Sequence, residues 1–233
     1  MQVVAIMDEN NLNYLIINSL PLKHTYVGTF TSDDIVHNPI LKINFLSKRD
    51  VLLSFIANTL TSSNTPFQDG HWVAFIIFKS KRGLSLKYFD SFADNPKKYP
   101  NFAYFISNIK EKCRTHKIPF KLDTIRKPIQ APYSKFCGPY AAYAIIKSHR
   151  ERWAPLKKIF APFSTNRKNN DSKIEYFLTK QWPTGSCHTN PIYNNIKMSL
   201  DSLRKHPPFC PKINLSTKKC FKKCKHLTCC GRK

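Results

Sequence analysis

The sequence predicts a folded protein that combines β-strands with α-helices. Hydrophobic residues make up 42% of the chain and aromatic residues 13%, which is enough apolar material to build a core. Aromatic and branched residues on both sides of a short polar segment predict a β-hairpin at 71–92. Helical patterns recur at 8–20, 101–117 and 138–152. With 233 residues, we expect one domain followed by a tail.

The first third of the chain is predicted to contain a helix, an apolar segment and a loop. Residues 8–20 form the helix, because four apolar residues recur there at helical spacing. They are Leu12, Leu15, Ile16 and Leu20. The apolar segment 51–56 fits a helix or a strand equally well. Residues 59–69 are rich in Ser, Thr and Asn, so we expect a loop that leads into His71.

The segments after the hairpin are predicted to alternate between helices, a strand and a polar loop. Residues 101–117 read as an amphipathic helix with one apolar face directed at the core. That face carries Phe102, Phe105, Ile106, Ile109 and Cys113. Residues 120–125 are predicted to form a strand and 162–173 a polar loop, followed by helices at 174–178 and 192–203.

The predicted hairpin brings an imidazole close to a carboxylate. If Phe78 pairs with Gly83 across a loop of four residues, His71 lies opposite Asp90. Directly opposed residues of antiparallel strands share a face, with Cβ atoms about 5 Å apart. A shift of one residue in register would separate the two side chains. In the predicted register, Asp90 can orient the ring of His71, as the third member of a Cys-His pair does.

A cysteine precedes the most apolar predicted helix. Cys137 is followed by Gly138 and Pro139, and proline is favoured at the first positions of a helix. The positive end of a helix dipole favours a thiolate, which is the nucleophilic form of cysteine. The sequence therefore predicts Cys137 as a nucleophile.

Gln130 completes the candidate set. It stands seven residues before Cys137, and a side-chain amide can donate a hydrogen bond to a developing oxyanion. Each of these residue types alone commonly has a structural role, such as a surface histidine, a turn-forming Asp or a buried thiol. The order His71, Asp90, Gln130, Cys137 favours a catalytic interpretation.

This pattern resembles the adenovirus-type cysteine proteases, whose relatives include enzymes of virus-like DNA transposons. The family pattern has His-Trp at a strand start, an aromatic-Asp/Glu-x-Phe segment, a Gln seven residues before the nucleophile, and Cys-Gly opening a buried helix. In this chain the four parts are His71-Trp72, Phe89-Asp90-Ser91-Phe92, Gln130 and Cys137-Gly138. Residues 26–30 also resemble a Gly-Thr-aromatic segment of these enzymes, and the resemblance spans roughly residues 10–205.

The resemblance implies an α+β fold with a papain-like scaffold in a circularly permuted arrangement, shared with SUMO-removing proteases. It implies that Cys137 attacks the scissile carbonyl, that His71 transfers the proton and that Asp90 orients His71. Gln130 and the Cys137 N–H would hold the oxyanion. The implied substrates are virion precursor proteins cleaved during particle maturation, in the virion and host nucleus. We expect a monomer that needs no cofactor for its chemistry and has no catalytic metal.

The chain departs from the family in two places. Many members carry Glu where this chain has Asp90. In the adenovirus enzyme a cysteine on the strand before the Gln bonds to an activating peptide, whereas residues 120–125 contain no cysteine here. Cys113 lies upstream on the predicted helix. A disulfide-linked activating peptide is therefore in doubt, and a non-covalent one remains open.

The net charge of +24 favours a polyanionic partner. We expect double-stranded DNA, which the resemblance implies as an activator. The alternative is that excess lysine reflects genome composition. No apolar run approaches the roughly 20 residues that would cross a membrane, and we expect no membrane partner.

The predicted protease domain covers residues 1–211, and a basic tail covers 212–233. The tail has eight Lys or Arg residues and no acidic residue. It also contains five potential metal ligands, Cys220, Cys224, His226, Cys229 and Cys230. Three interpretations stay open: a zinc site, oxidative cross-linking, or a flexible arm that contacts nucleic acid.

Two alternatives to a viral maturation protease follow from the same residues. The first is a peptidase that removes SUMO- or ubiquitin-like modifiers. The second is a basic, DNA-binding virion structural protein on an inactive protease scaffold.

Overall fold

A computed structural model describes residues 9–20, 26–37, 46, 50–63, 70–152 and 154–181. The predicted helix at 192–203 and the tail at 212–233, with its cysteines, lie outside the described residues. Within the described part, none of the helices has both the length and the apolar character that a membrane crossing requires.

The described residues contain a five-stranded mixed sheet with the strands in chain order. Its strands are β1 (Tyr26–Phe30), β2 (Val51–Asn58), β3 (Trp72–Ser80), β4 (Gly83–Phe89) and β5 (Phe120–Thr124). The central strand β3 is antiparallel to both β2 and β4, and the two outer strands run parallel to their neighbours. The segment 51–56, which fitted a helix or a strand, is thus part of a strand. The strand predicted at 120–125 is confirmed.

The β3–β4 hairpin is confirmed, but its predicted register was wrong. Ser80, rather than Phe78, pairs with Gly83, and the loop has two residues instead of four. Two-residue loops are the commonest hairpin connections, since their twist matches that of the strands. A shift of two residues leaves every side chain on its original face, because the side-chain period of a strand is two. His71 and Asp90 therefore stay on the same side of the hairpin.

Six α-helices of the described residues pack around the sheet. They are α1 (Glu9–Ser19), α2 (Asp34–His37), α3 (Pro100–Thr115), α4 (Cys137–Arg150), α5 (Leu156–Ile159) and α6 (Arg167–Gln181). The helices predicted at 8–20, 101–117, 138–152 and 174–178 are confirmed. The polar loop predicted at 162–173 was wrong in its second half, since α6 already begins at Arg167.

The sheet separates two apolar cores because its strands alternate between the two faces. Ala74, Ile76 and Phe78 of β3 face a core that includes residues of α1 and α4. Val73, Phe75 and Ile77 face the other core, which includes the apolar face of α3. The predicted core face of α3 is confirmed, since its five residues are all buried. This layering places α4, which begins at Cys137, against the sheet.

An aromatic cluster centres on Phe75. Its ring stacks on Phe55 at a centroid distance of 4.9 Å. It also makes edge contacts with Tyr88, Phe102 and Phe105 at 5.2 to 5.4 Å. Phe75 therefore joins β2, β4 and α3.

Replacing Phe75 with Ala should lower the free energy of unfolding by about 3–5 kcal/mol, because a large cavity would remain. Urea denaturation of the purified protein measures this change. Tyr104→Ala is the control, since Tyr104 is 53% exposed on α3. This variant should change the free energy of unfolding by no more than about 0.5 kcal/mol. Equal losses in the two variants would contradict the proposed role of Phe75.

Candidate active site

His71 is held by its main chain at the start of β3. Its N–H donates to Thr59 Oγ1 at 3.0 Å, and its carbonyl accepts from the Thr59 N–H at 2.9 Å. The preceding residue is glycine for a steric reason: a Cβ on Gly70 would lie 2.1 Å from Asn58 Oδ1. Thr59, directly after β2, therefore holds the main chain of His71 in place.

Asp90 follows β4 directly and is buried, with 1% of its surface exposed. Its Oδ1 accepts hydrogen bonds from His71 Nε2 and from the Phe92 N–H, both at 2.8 Å. The Tyr88 hydroxyl lies 3.4 Å from Asp90 Oδ2. Because Nε2 of His71 is engaged by Asp90, Nδ1 is the ring nitrogen that remains for another partner.

Cys137 lies near the same ring, and its side chain is one of the groups that raise the pKa of His71. Cys137 is the first residue of α4 and is partly exposed. A Cβ on Gly138 would lie 3.1 Å from Leu12 Cδ2 and 3.4 Å from Trp72 Cδ1. The glycine after the cysteine therefore lets the start of α4 approach both α1 and β3.

His71 is poised to be an imidazolium at neutral pH. Burial by itself lowers its pKa, but hydrogen bonds to Asp90 and Cys137, together with their charges, raise the pKa from 6.5 to about 9. Since the folded-state pKa lies above the unfolded value, this contribution stabilises the fold below pH 6.5. It is lost as the pH rises toward 9.

Gln130 is fully buried in the loop that leads to Cys137. Its Oε1 accepts from the Ser91 hydroxyl, and its Nε2 donates to the Ser134 carbonyl, both at 2.5 Å. The N–H groups of Ile129 and Gln130 donate to the Ser91 carbonyl. The structure thus brings His71, Asp90 and Cys137 together and ties Gln130 to the residue after Asp90. Oxyanion binding by Gln130 remains a prediction.

Cys113, the other free cysteine of the described residues, does not share these features. It is completely buried on α3, and burial raises the pKa of its thiol. A buried thiol of raised pKa is a poor nucleophile and is closed to a disulfide with a peptide.

Sequence reasoning missed the residues that hold the Gln130 loop. Asn170 Nδ2 donates to the carbonyls of Ile129 at 3.0 Å and Ser164 at 2.8 Å. The Tyr140 hydroxyl lies 2.9 Å from Asp171 Oδ1 and 3.3 Å from the Ile129 carbonyl oxygen. Asn170 and Asp171 fall in the segment predicted as a loop, where nothing in the residue pattern indicated burial.

The described residues contain no group of three or more His, Cys, Asp or Glu side chains arranged to hold a metal ion. What this site does contain is a partly exposed thiol, an imidazole that is hydrogen-bonded to Asp90, and a nearby side-chain amide. Such a set can add a thiolate to a carbonyl carbon and return a proton to the leaving group.

The chain was compared with known proteins. No protein-family model matches it, and no curated protein sequence does. Among solved structures, it is similar to the ASFV pS273R protease, with a TM-score of 0.54 at 14% sequence identity. That match covers 78% of this chain and 68% of the other.

A second similar structure is ChlaDub1 from Chlamydia trachomatis, with a TM-score of 0.51, 9% identity, and coverage of 78% of this chain and 92% of the other. The fold is that of the papain-like cysteine proteases. This confirms the predicted α+β class, with a mixed sheet packed by helices. The similarity does not single out the adenovirus-type enzymes among the proteases of this fold.

We expect an NMR titration of the imidazole nitrogens to give His71 an apparent pKa of about 9. In Asp90→Asn the value should fall, because the opposing charge is lost while burial remains. His149 is an internal control in both proteins. Burial and the charges of Arg152 and Lys87 lower its pKa to about 4. An unshifted His71 in the wild type would contradict the ion pair.

Proposed function

We propose that this protein is a thiol peptidase. The observation that carries the proposal is the arrangement of Asp90, His71 and Cys137: Asp90 Oδ1 lies 2.8 Å from His71 Nε2, and the Cys137 side chain helps to raise the pKa of the same ring. Cys137 is also the partly exposed first residue of a helix, where the helix dipole favours a thiolate. The protease fold supports the same chemistry.

In the proposed reaction, the Cys137 thiolate adds to the carbonyl carbon of the scissile bond. The carbonyl oxygen takes the negative charge and is held by the Gln130 amide and the Cys137 N–H. Imidazolium His71 then protonates the leaving nitrogen as the C–N bond breaks, which leaves a thioester. Neutral His71 next removes a proton from water, which attacks the thioester and releases the acid. The thiolate and imidazolium are restored.

We propose virion precursor proteins as the substrates and internal peptide bonds as the cleavage sites. The four-part motif of His71, Asp90, Gln130 and Cys137 supports this choice, because it resembles the adenovirus-type enzymes. The likeness in fold to the ASFV pS273R protease is compatible with it. ChlaDub1 is similar to nearly the same degree, so a peptidase for ubiquitin- or SUMO-like modifiers is the second candidate.

The test is cleavage of a diverse library of internally quenched peptides, run beside ubiquitin and SUMO that carry a C-terminal fluorophore. We expect the library to be cleaved and Cys137→Ala to be inactive. Gln130→Ala should lower kcat by about 10²–10³ if its amide holds the oxyanion.

Each outcome separates the candidates. Release of fluorophore from the modifiers without library cleavage would favour the second candidate. Activity that survives in Cys137→Ala would overturn the assignment of the nucleophile. A wild type that cleaves neither class of substrate, with or without a DNA duplex in the assay, would contradict a peptidase function and favour a structural role.

We also propose that double-stranded DNA binds this protein and activates it. The net charge of +24 supports this. Two exposed basic residues, Arg126 and Lys127, lie in the segment that enters the Gln130 loop. A polyanion bound there would lie next to the loop that precedes the nucleophile.

Fluorescence anisotropy with a short DNA duplex should show that the logarithm of the association constant K falls linearly with the logarithm of the salt concentration. The double variant Arg126→Ala/Lys127→Ala should make this slope shallower by about 2, one unit per lost phosphate contact. The matched control is Lys81→Ala/Arg82→Ala at the tip of the hairpin, which removes two exposed charges elsewhere. A salt-independent affinity would exclude phosphate contacts.

A further inference from the structure

The loop before the nucleophile contains a turn with an unusual residue in it. The Ser134 N–H donates to the Ala131 carbonyl at 3.2 Å, which closes a four-residue turn. Pro132 occupies its second position, and Tyr133 occupies its third with a φ of +62°. A turn with proline second and a positive φ third normally has Gly or Asn at that third position. A bulky side chain in this backbone region is strained.

The side chain of Tyr133 gains no burial in the fold that could offset this strain. It is 101% exposed, the most exposed of the large hydrophobic side chains among the described residues. Tyr104 and Tyr176, the next most exposed, lie on helices with ordinary backbone geometry. Burial and packing therefore do not explain an aromatic residue in this turn.

The turn is attached to the candidate active site on both sides. Gln130 precedes it, and its amide donates to the carbonyl of Ser134, the residue after Tyr133. Ser134 Oγ accepts from the Phe136 N–H at 3.3 Å, directly before Cys137. Tyr133 thus lies in a turn that hydrogen bonds hold in place, between Gln130, the expected oxyanion donor, and Cys137, the expected nucleophile.

We propose that Tyr133 is a substrate-contacting residue that determines specificity, its ring packing against the part of a polypeptide substrate that adjoins the scissile bond. The inference rests on the proposed peptidase function. Strained backbone concentrates at functional sites, where the strain places a side chain for a ligand. An aromatic ring offers a large contact area with few rotatable bonds, so little entropy is lost when a substrate covers it.

The experiment uses the internally quenched peptide that the wild type cleaves fastest in the library. Tyr133→Gly should raise KM about tenfold and leave kcat within about twofold, since a contact present in both the bound and transition states is lost. Tyr133→Phe keeps the ring and should stay close to the wild type. Tyr104→Ala is the control for removing an exposed tyrosine elsewhere.

Two further measurements exclude a structural role for Tyr133. The melting temperature of Tyr133→Gly should be no lower than that of the wild type, because glycine suits a positive φ. The alkylation rate of Cys137 by iodoacetamide should be unchanged, because the small reagent does not need the ring. A lower melting temperature, or slower alkylation, would overturn the proposal in favour of a structural role.

The outcomes also separate this inference from the function on which it rests. If Tyr133→Gly cleaves the peptide with the wild-type KM, the inference is wrong and the peptidase function stands. If the wild type cleaves neither the peptides nor the modifiers, with or without duplex DNA, although Cys137 is alkylated, both fail.

Discussion

The hydrogen bond between His71 and Asp90 is the interaction on which the site depends. Asp90 is almost completely buried, and a buried carboxylate without partners is strongly unfavourable. His71 Nε2 and the Phe92 N–H both satisfy its Oδ1. The pair closes the open end of the β3–β4 hairpin, since each residue lies just beyond its strand. It also leaves Nδ1 of the ring for the sulfur, so the same bond serves stability and the proposed chemistry.

The site is supported from a distant part of the chain. Ser91, directly after Asp90, binds the side chain of Gln130 and the main chain of the Gln130 loop. On the opposite side of that loop, Asn170 of α6 holds the Ile129 carbonyl. Hydrogen bonds from Ile129 to Ser91 and from Asn170 to Ile129 therefore connect the residue next to Asp90 with α6. Loss of Asn170 would disturb the Gln130 loop without removing a contact of His71, Asp90 or Cys137, which is a physical reason for a buried polar residue in α6.

Much of the architecture was predictable because it depends on local patterns. The apolar spacing of α1 and α3 and the branched residues of β3 indicate their structures without reference to the rest of the chain. The hairpin register was not predictable in the same way, because Phe78 and Ser80 both offer Gly83 a partner on the same face. The segment at 162–173 reads as a loop because its polarity gives no sign that Asn170 and Asp171 are buried.

The sequence by itself determined most of the elements, the positive charge and the residue types of the site, since these follow from composition, period and order. Only the tertiary structure decided which cysteine has partners. Cys113 and Cys137 both lie on helices, yet α3 buries the first against the sheet, while the start of α4 leaves the second beside His71. Tyr133 became notable for the same reason, because its positive φ and full exposure belong to the folded loop alone. Contacts between residues far apart in the chain depend on how the layers pack, and no local pattern records that packing.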